Sequence, residues 1–327
     1  MDNTFRVLNV NKSKDDIRDF KYEILCKQNL NANFCDYRNE LLPVRDQGSQ
    51  GTCYAQVAAC VKEWQEKREI YSRNYYFSPQ FIYNHRNYFN NNIQDGDDIN
   101  EDYGMEGRDV MKILKNVGIC DEYLYKYGRL ETASKIPESI KSIAKYNVIK
   151  SYARVSTLKG LKSSLLKNGP CLIAFPVYNH TDQMWIQNEG DTFQGGHAMT
   201  VVGFCDYNEY FIIRNSWGKN WGDSGYCYYY YKDWNSHWEC WVTVDLENES
   251  FEDKLDHENL TDIEYDEKID DDTLNIDEEK LDDEKLDDNK PNVDDEKLDD
   301  NKPNVDDEKL DIEPKKKSCW DYILKIQ

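Results

Sequence analysis

Cys53 lies in the run Gln47-Gly48-Ser49-Gln50-Gly51-Thr52-Cys53-Tyr54-Ala55. His197 follows 144 residues later in Gly195-Gly196-His197-Ala198, and Asn215 opens Asn215-Ser216-Trp217-Gly218. A thiol is a useful nucleophile at neutral pH only as a thiolate. An adjacent imidazole and a helix N-terminus are the usual devices that lower its pKa. Gly48 and Gly51 mark a loop, and Ala55–Trp64 combines strong helix formers with an apolar stripe. Cys53 therefore falls in a first helical turn, where the dipole favours negative charge. Of the five histidines (85, 180, 197, 237 and 257), His197 alone is flanked by two glycines and an apolar strand. An asparagine can fix an imidazole's tautomer through one hydrogen bond. A buried inert thiol, a satisfied core histidine or a turn asparagine would each explain one residue. The ordered set points instead to nucleophilic attack on a carbonyl.

These motifs resemble the papain family of cysteine peptidases. The family's local signature is C-G-[SA]-C-[WY], with His and Asn about 130–150 residues later. Asn215 comes 162 residues after Cys53, which implies insertions. Gln50 stands where the signature has its first Cys, and Thr52 where it has Ser or Ala. The disulfide made by that Cys in secreted members is therefore not expected. The resemblance spans about residues 36–245, and is similar to the subgroup of bacteria and large DNA viruses without a long propeptide.

The resemblance implies roles for particular residues. Cys53 would be the nucleophile, and His197 the partner that holds the ion pair and protonates the leaving amine. Asn215 would orient His197, and Trp217 would shield that bond from water. The side-chain amide of Gln47 and the Cys53 N–H would donate to the developing oxyanion. Gly104, followed by Met105 where the family has a second glycine, would hydrogen-bond an extended substrate. Ala198 would line the pocket for the second residue before the cleaved bond. Gly195 and Gly196 would let a substrate backbone pass close. Such chemistry needs no metal and no cofactor. Three rivals stand beside hydrolysis: an inactive peptidase fold that only binds peptides, an interaction protein acting through its acidic tail, and acyl transfer to an amine.

The elements that must hold these residues can be read from pattern. Helices are expected from Cys53 to about Tyr71, from Ser78-Pro79 through Phe81, Ile82 and Tyr88, from about Glu106 to Asn116 with Gly118 as the stop, and over Thr157–Asn168. Strands are expected over Cys171–Val177, His197–Cys205, Tyr210–Asn215, Tyr226–Tyr231 and Cys240–Leu246. Helices first and strands second make an α+β protein. The resemblance implies a papain-like fold of two lobes, one helical and one an antiparallel β-barrel-like unit. Cys53 would come from the first lobe and His197 from the second, with the site in the cleft between them.

The chain has 327 residues and a net charge of −22. Residues 248–314 alone hold 30 acids and 8 bases, so the remainder is balanced. A nucleic-acid-binding domain would show a basic footprint, and none is present. The run Asp282–Val293 repeats as Asp294–Val305. Repeats so short, polar and poor in aromatics cannot offset chain entropy, and disorder is expected there. The last segment, 315–327, is basic and then apolar, suited to docking on a partner or an anionic surface. The organisation read from sequence is thus an extension over 1–35, a peptidase domain over 36–247, an acidic tail over 248–314 and a C-terminal segment. Tyr22, Ile24 and Leu25 in the extension are expected to pack beside the core, away from the site, rather than across the cleft. The acidic loop of Asp95, Asp97, Asp98, Glu101 and Asp102 reads as solvated, with a bias toward basic substrates as its functional alternative.

None of the ten cysteines forms a C-x-x-C pair, so a structural zinc site is not expected. The N-terminus lacks an apolar signal region, and no stretch reaches the length of a membrane span. Reduced core thiols follow, in a monomer acting on peptide or protein substrates inside a cell or in a virion.

Overall fold

Helical spacing of apolar residues, closed by caps, builds the first half of the fold. The computed structural model describes residues 6–25, 32–69, 74–88 and 102–244. The acidic repeats and the basic C-terminal segment lie outside that range, as do residues 95–101 of the acidic loop. After a single turn, α1 (Tyr22–Leu25), and a short strand, β1 (Phe34–Asp36), comes the central helix α2 (Cys53–Glu69). Every residue from Gly51 to Glu66 is buried, so this stretch has no solvent face. Its polar residues must therefore find partners. Lys62 pairs with Glu66 at 2.7 Å and also donates to the Val148 carbonyl at 3.2 Å.

Helix α3 (Pro79–Asn84) is capped by Ser78, whose Oγ accepts the Phe81 N–H at 3.0 Å, with proline in the first position. It stops short of Tyr88. His85, Arg86 and Tyr88 bond to carbonyls three residues back, which tightens the path, and Tyr88 is exposed. Helix α4 (Gly107–Asn116) turns Val110, Ile113 and Leu114 inward. It ends where Gly118, at φ +82°, bonds back to the Ile113 carbonyl. With α5 (Glu138–Ala144), these helices enclose a core around Val57, Val61, Phe81, Ile82 and Ile113.

The second half is one antiparallel sheet. Its strands are β2 (Ser151–Arg154), β3 (Cys171–Val177), β4 (Gly195–Cys205), β5 (Tyr210–Arg214), β6 (Tyr226–Tyr230) and β7 (Glu239–Val244). They run in the order β2-β7-β3-β4-β5-β6, and β1 pairs with the far end of β4. Helix α6 (Leu158–Asn168) packs beside them, capped by Thr157, whose Oγ1 accepts the Gly160 N–H at 3.0 Å. Every residue of β3 is buried. Side chains alternate across a strand, so Leu172 and Ala174 join the helical core while Ile173, Phe175 and Val177 enter a second core. In that second core Phe175 stacks on Trp185 at 4.6 Å and meets the edge of Tyr229 at 5.0 Å. Each such pair adds about 0.5–1.5 kcal/mol beyond area burial. A register shift between Val201 and Gly203 lets β4 serve β5 and β1 in turn. The fold is the expected α+β arrangement of a helical lobe and an antiparallel sheet lobe. The eight described cysteines are all unpaired, and all but Cys35 are buried.

Candidate active site

Cys53 opens α2, and His197 lies near the start of β4, opposite Phe175. Asn215 follows β5 directly. The helical lobe packs α2 along β4. The Cys53 sulfur is reached by the backbone N–H of Ala198, the residue next to His197. Cys53 and the start of the strand that carries His197 thus adjoin where the two lobes pack.

His197 Nε2 lies 2.7 Å from Asn215 Oδ1. The same oxygen accepts the Ser216 N–H at 2.7 Å. A backbone N–H must face an oxygen, so the orientation of the Asn215 amide is determined. His197 Nε2 must then carry the hydrogen, which leaves Nδ1 as the ring's base. Nδ1 is buried without a hydrogen-bond partner. Trp217 lies over the ring at 4.5 Å and an interplanar angle of 32°, which keeps water from the Asn215 bond.

Gln47 is buried and held from both lobes. Its Oε1 accepts Ser216 Oγ–H at 2.7 Å, and its Nε2 donates to the Gln50 carbonyl at 2.9 Å. Its backbone N–H reaches the Ser216 carbonyl, and its own carbonyl accepts Tyr127 Oη–H at 2.8 Å. One Nε2 hydrogen is thereby used, and a second remains. Ser216 and Tyr127 were not singled out from sequence. Their signal was adjacency to Asn215 for the first and none for the second.

The N-terminal extension departs from expectation. Residues 6–13 run through the cleft. Gly196 N–H donates to Leu8 O at 3.3 Å, Val10 N–H to Gly196 O at 3.4 Å, and Asn11 N–H to Met105 O at 3.0 Å. Asn9 Nδ2 donates to Asp102 O and Oδ1 at 2.6 and 2.7 Å, while Asp102 Oδ2 accepts the Gly51 N–H at 2.6 Å. Arg6 pairs with Asp46 and lies over Trp217 at 5.8 Å. The close approach needs glycine on the walls. A Cβ at Gly51 would meet Asn9 Oδ1 at 2.1 Å, and one at Gly195 would meet Leu8 O at 2.0 Å. The backbone that passes Gly104, Met105, Gly195 and Gly196 is the chain's own. Of the residues expected to anchor the extension, Tyr22 does pack in the second core, where its hydroxyl accepts from Asn168 Nδ2 at 3.1 Å. Val7, Leu8 and Val10 are apolar residues in an otherwise polar stretch, and nothing in that pattern tells where they dock.

The covered site has inverted electrostatics. Burial raises the Cys53 thiol to about 12, against hydrogen bonds from the amides of Ala198 and Tyr54. Burial likewise lowers His197 to about 4, against its bond to Asn215. Both residues are fully buried, and Val10 joins Cys53, Met105, Ala174 and Ala198 in one apolar cluster. Burial thus favours the neutral thiol and the neutral imidazole in this covered site. The lowered thiol pKa expected from a helix N-terminus does not hold in this covered state, because desolvation outweighs the dipole. Among the described residues, no group of His, Cys, Asp or Glu is arranged to hold a metal.

Residues 31–245 match the model of the papain family cysteine proteases, and the chain belongs to that family. It is 28% identical to an uncharacterized peptidase C1-like protein of Acanthamoeba polyphaga mimivirus, over 71% of this chain and 81% of that one. It is also 28% identical to mouse cathepsin K, over 58% of this chain, and spans only 57% of the length of that relative. Among solved structures, xylellain, a cysteine protease from Xylella fastidiosa, superposes with a TM-score of 0.63 at 27% identity, covering 73% of this chain and 96% of the other. Among the described residues, no helix is long and apolar enough to cross a membrane.

Proposed function

We propose that the chain is a cysteine endopeptidase whose cleft is closed by its own residues 6–13. The observation that carries this reading is the His197 ring, with Nε2 committed to Asn215 and Nδ1 left as a buried base without a hydrogen-bond partner. Once residues 6–13 withdraw and water returns, the Cys53 proton passes to Nδ1. The thiolate attacks the scissile carbonyl, and the oxyanion is met by Gln47 Nε2 and the Cys53 N–H. His197 gives its proton to the leaving amine. It then takes one from the water that hydrolyses the acyl-enzyme. Asn215 acts by orienting the ring.

An endopeptidase cleft must pass a chain straight through. Residues 6–13 cross from Arg6 at Asp46 to Ser13 at Glu239 as one extended segment, which supports that reading. The substrate is accordingly an extended stretch of peptide or protein. The viral relative supports action inside a host cell or in a virion.

The test is active-site labelling. The full-length chain, and the same chain carrying Val10→Asp to unseat residues 6–13, are treated with iodoacetamide at pH 6 and mapped. Cys53 should be the first thiol labelled, faster in the variant, and Cys53→Ser should hydrolyse no peptide. Labelling of another cysteine first, with Cys53 untouched in both chains, would refute the assignment.

A further inference from the structure

Gln56 is a polar side chain on a stretch of helix with no solvent face. It follows Cys53 by three residues on α2 and is 5% exposed. Its Nε2 donates to Thr52 Oγ1 at 3.4 Å, and its Oε1 has no hydrogen-bond partner. Asn215 is its complement. It is 3% exposed, its Oδ1 is taken by His197 Nε2 and the Ser216 N–H, and its Nδ2 has no hydrogen-bond partner. A buried acceptor and a buried donor are thus each left unpaired, one on the helix of the nucleophile and one on the residue that orients the imidazole.

Both side chains line one small cavity between α2 and the sheet, together with Arg45, Thr200 and Arg214. Its volume of about 10 Å³ suits a single water and nothing larger. Arg45 brings two more unpaired donors, Nε and Nη1. Its Nη2 is held by Glu63 at 2.6 Å and by the Phe77 carbonyl at 2.7 Å. Arg214 gives its guanidinium to the Leu42 and Pro43 carbonyls at 2.6 and 2.7 Å. The cavity therefore presents free donors from Asn215 and Arg45 and a free acceptor from Gln56. A water, which accepts and donates, pairs all three side chains at once. A chloride would match the donors but repel the Gln56 oxygen.

We infer that Gln56 is a positioning residue for catalysis, acting on Asn215 through one buried water that accepts from Asn215 Nδ2–H and donates to Gln56 Oε1. Donation to Gln56 makes the water a better acceptor, and the water in turn polarises the Asn215 amide. A polarised amide is a stronger acceptor at Oδ1, where His197 Nε2–H binds. The gain is largest when the Cys53 proton has moved to Nδ1 and the ring is an imidazolium. Arg45 completes the water's hydrogen bonds and holds it in place. This inference rests on the peptidase reading and adds a residue to its machinery.

The experiment is a double-mutant cycle on the full-length chain carrying Val10→Asp, read on the best-cleaved member of a library of fluorogenic tetrapeptide amides. Gln56→Met keeps the length of the side chain and removes the acceptor. It should lower kcat by about three- to tenfold with KM little altered, and move the basic limb of the pH profile of kcat/KM to lower pH. In the Asn215→Ala chain the same substitution should have almost no further effect, because the residue it acts through is gone. A crystal structure of the Cys53→Ser chain supplies a readout that needs neither turnover nor a folded Gln56 variant: density for one water within hydrogen-bond distance of both Gln56 Oε1 and Asn215 Nδ2. An empty cavity, an anion in it, or a Gln56→Met effect that persists in full in the Asn215→Ala chain overturns the inference while leaving the peptidase reading intact. The last outcome would route Gln56 through Thr52 Oγ1 and Tyr127 Oη, 2.7 Å apart, to the Gln47 carbonyl instead. Absence of turnover on every peptide, together with an unlabelled Cys53, overturns the peptidase reading and this inference with it.

Discussion

The carbonyl oxygen of Asn9 lies 1.9 Å from the point where a side chain on Gly104 would begin. Gly104 also sits at φ +75°, a backbone conformation that L side chains rarely adopt. The wall of the cleft and the segment inside it are thus shaped to one another without room for a methyl group.

That fit can be loosened from either side. Asn9→Ala removes the donor to Asp102, and a hydrogen bond to a charged group contributes about 1.5–3 kcal/mol. The open population, read as the rate of Cys53 alkylation, should rise by roughly ten- to a hundredfold. Gly104→Ala should also speed alkylation, with an added loss of stability from the strained turn. Unchanged rates in both variants would show that residues 6–13 do not control access.

Acid should destabilise the fold through its buried imidazoles. Burial lowers His85, His197 and His237 to about 4 from 6.5. Between these values the unfolded chain binds protons that the folded chain refuses. Stability is therefore full above pH 6.5 and is lost as pH falls toward 4, on the order of 3 kcal/mol per residue at the lower limit. Urea midpoints from pH 7.5 to 4 should fall accordingly, and His237→Asn should flatten part of the slope.

Release of residues 6–13 should behave differently. A thiol beside a neutral imidazole holds one proton, and so does a thiolate beside an imidazolium. Opening moves that proton from Cys53 to His197 without changing the count, so the pair contributes no pH dependence to opening between about pH 5 and 8. The alkylation rate at saturating reagent should be nearly flat over that range. A tenfold change would mean that some other group, such as Glu106, couples to release.

The oxyanion donor and its support should separate in kinetics. Gln47→Ala should lower kcat by about 10²–10³-fold, the usual effect of removing one such donor. Ser216→Ala removes only the hydroxyl on Gln47 Oε1 and should lower kcat by a smaller factor, with KM little altered. His197→Ala should abolish turnover, and Asn215→Ala should leave a measurable remainder. Equal effects of Gln47→Ala and Ser216→Ala would place the role of Gln47 in packing rather than on the oxyanion.

Reductant should leave the fold untouched, since the eight described cysteines carry no bridges. Melting temperatures with and without dithiothreitol should agree. A fall on reduction would require a bridge through Cys26 or Cys319, the two cysteines outside the described residues.

The pattern of the chain was sufficient for its larger elements. The four helical runs and five strands named from periodicity and caps are present, with ends shifted by a few residues, because caps and alternation are local properties. Ser78-Pro79 and Thr157 announce their helices through their own side chains. β1, β2 and α5 were not legible. A strand of three or four residues such as Phe34–Asp36 has too few alternations to be recognised, and it is a strand only because β4 offers it an edge.

The candidate site divides in the same way. Cys53, His197, Asn215 and Gln47 were nameable from sequence, because each sits in a short motif whose residue types suit one step of one chemistry. Their juxtaposition needed the fold: β4 and β5 must lie beside α2 before Ser216 can join Asn215 to Gln47. The protonation of the pair was decided by tertiary structure alone. The helix start and the imidazole predict a thiolate, but burial depends on what covers the cleft, and residues 6–13 do so from about forty positions away in sequence. Glu239 carries the same lesson. As a residue beside Trp238 and Cys240 it has no local signature. It becomes a buried carboxyl group with one unpartnered oxygen only when Tyr54, Gly107 and Ser13 converge on it, a contact set spread across more than two hundred residues. Desolvation is the sum of everything that surrounds a group, and no window of sequence contains that sum.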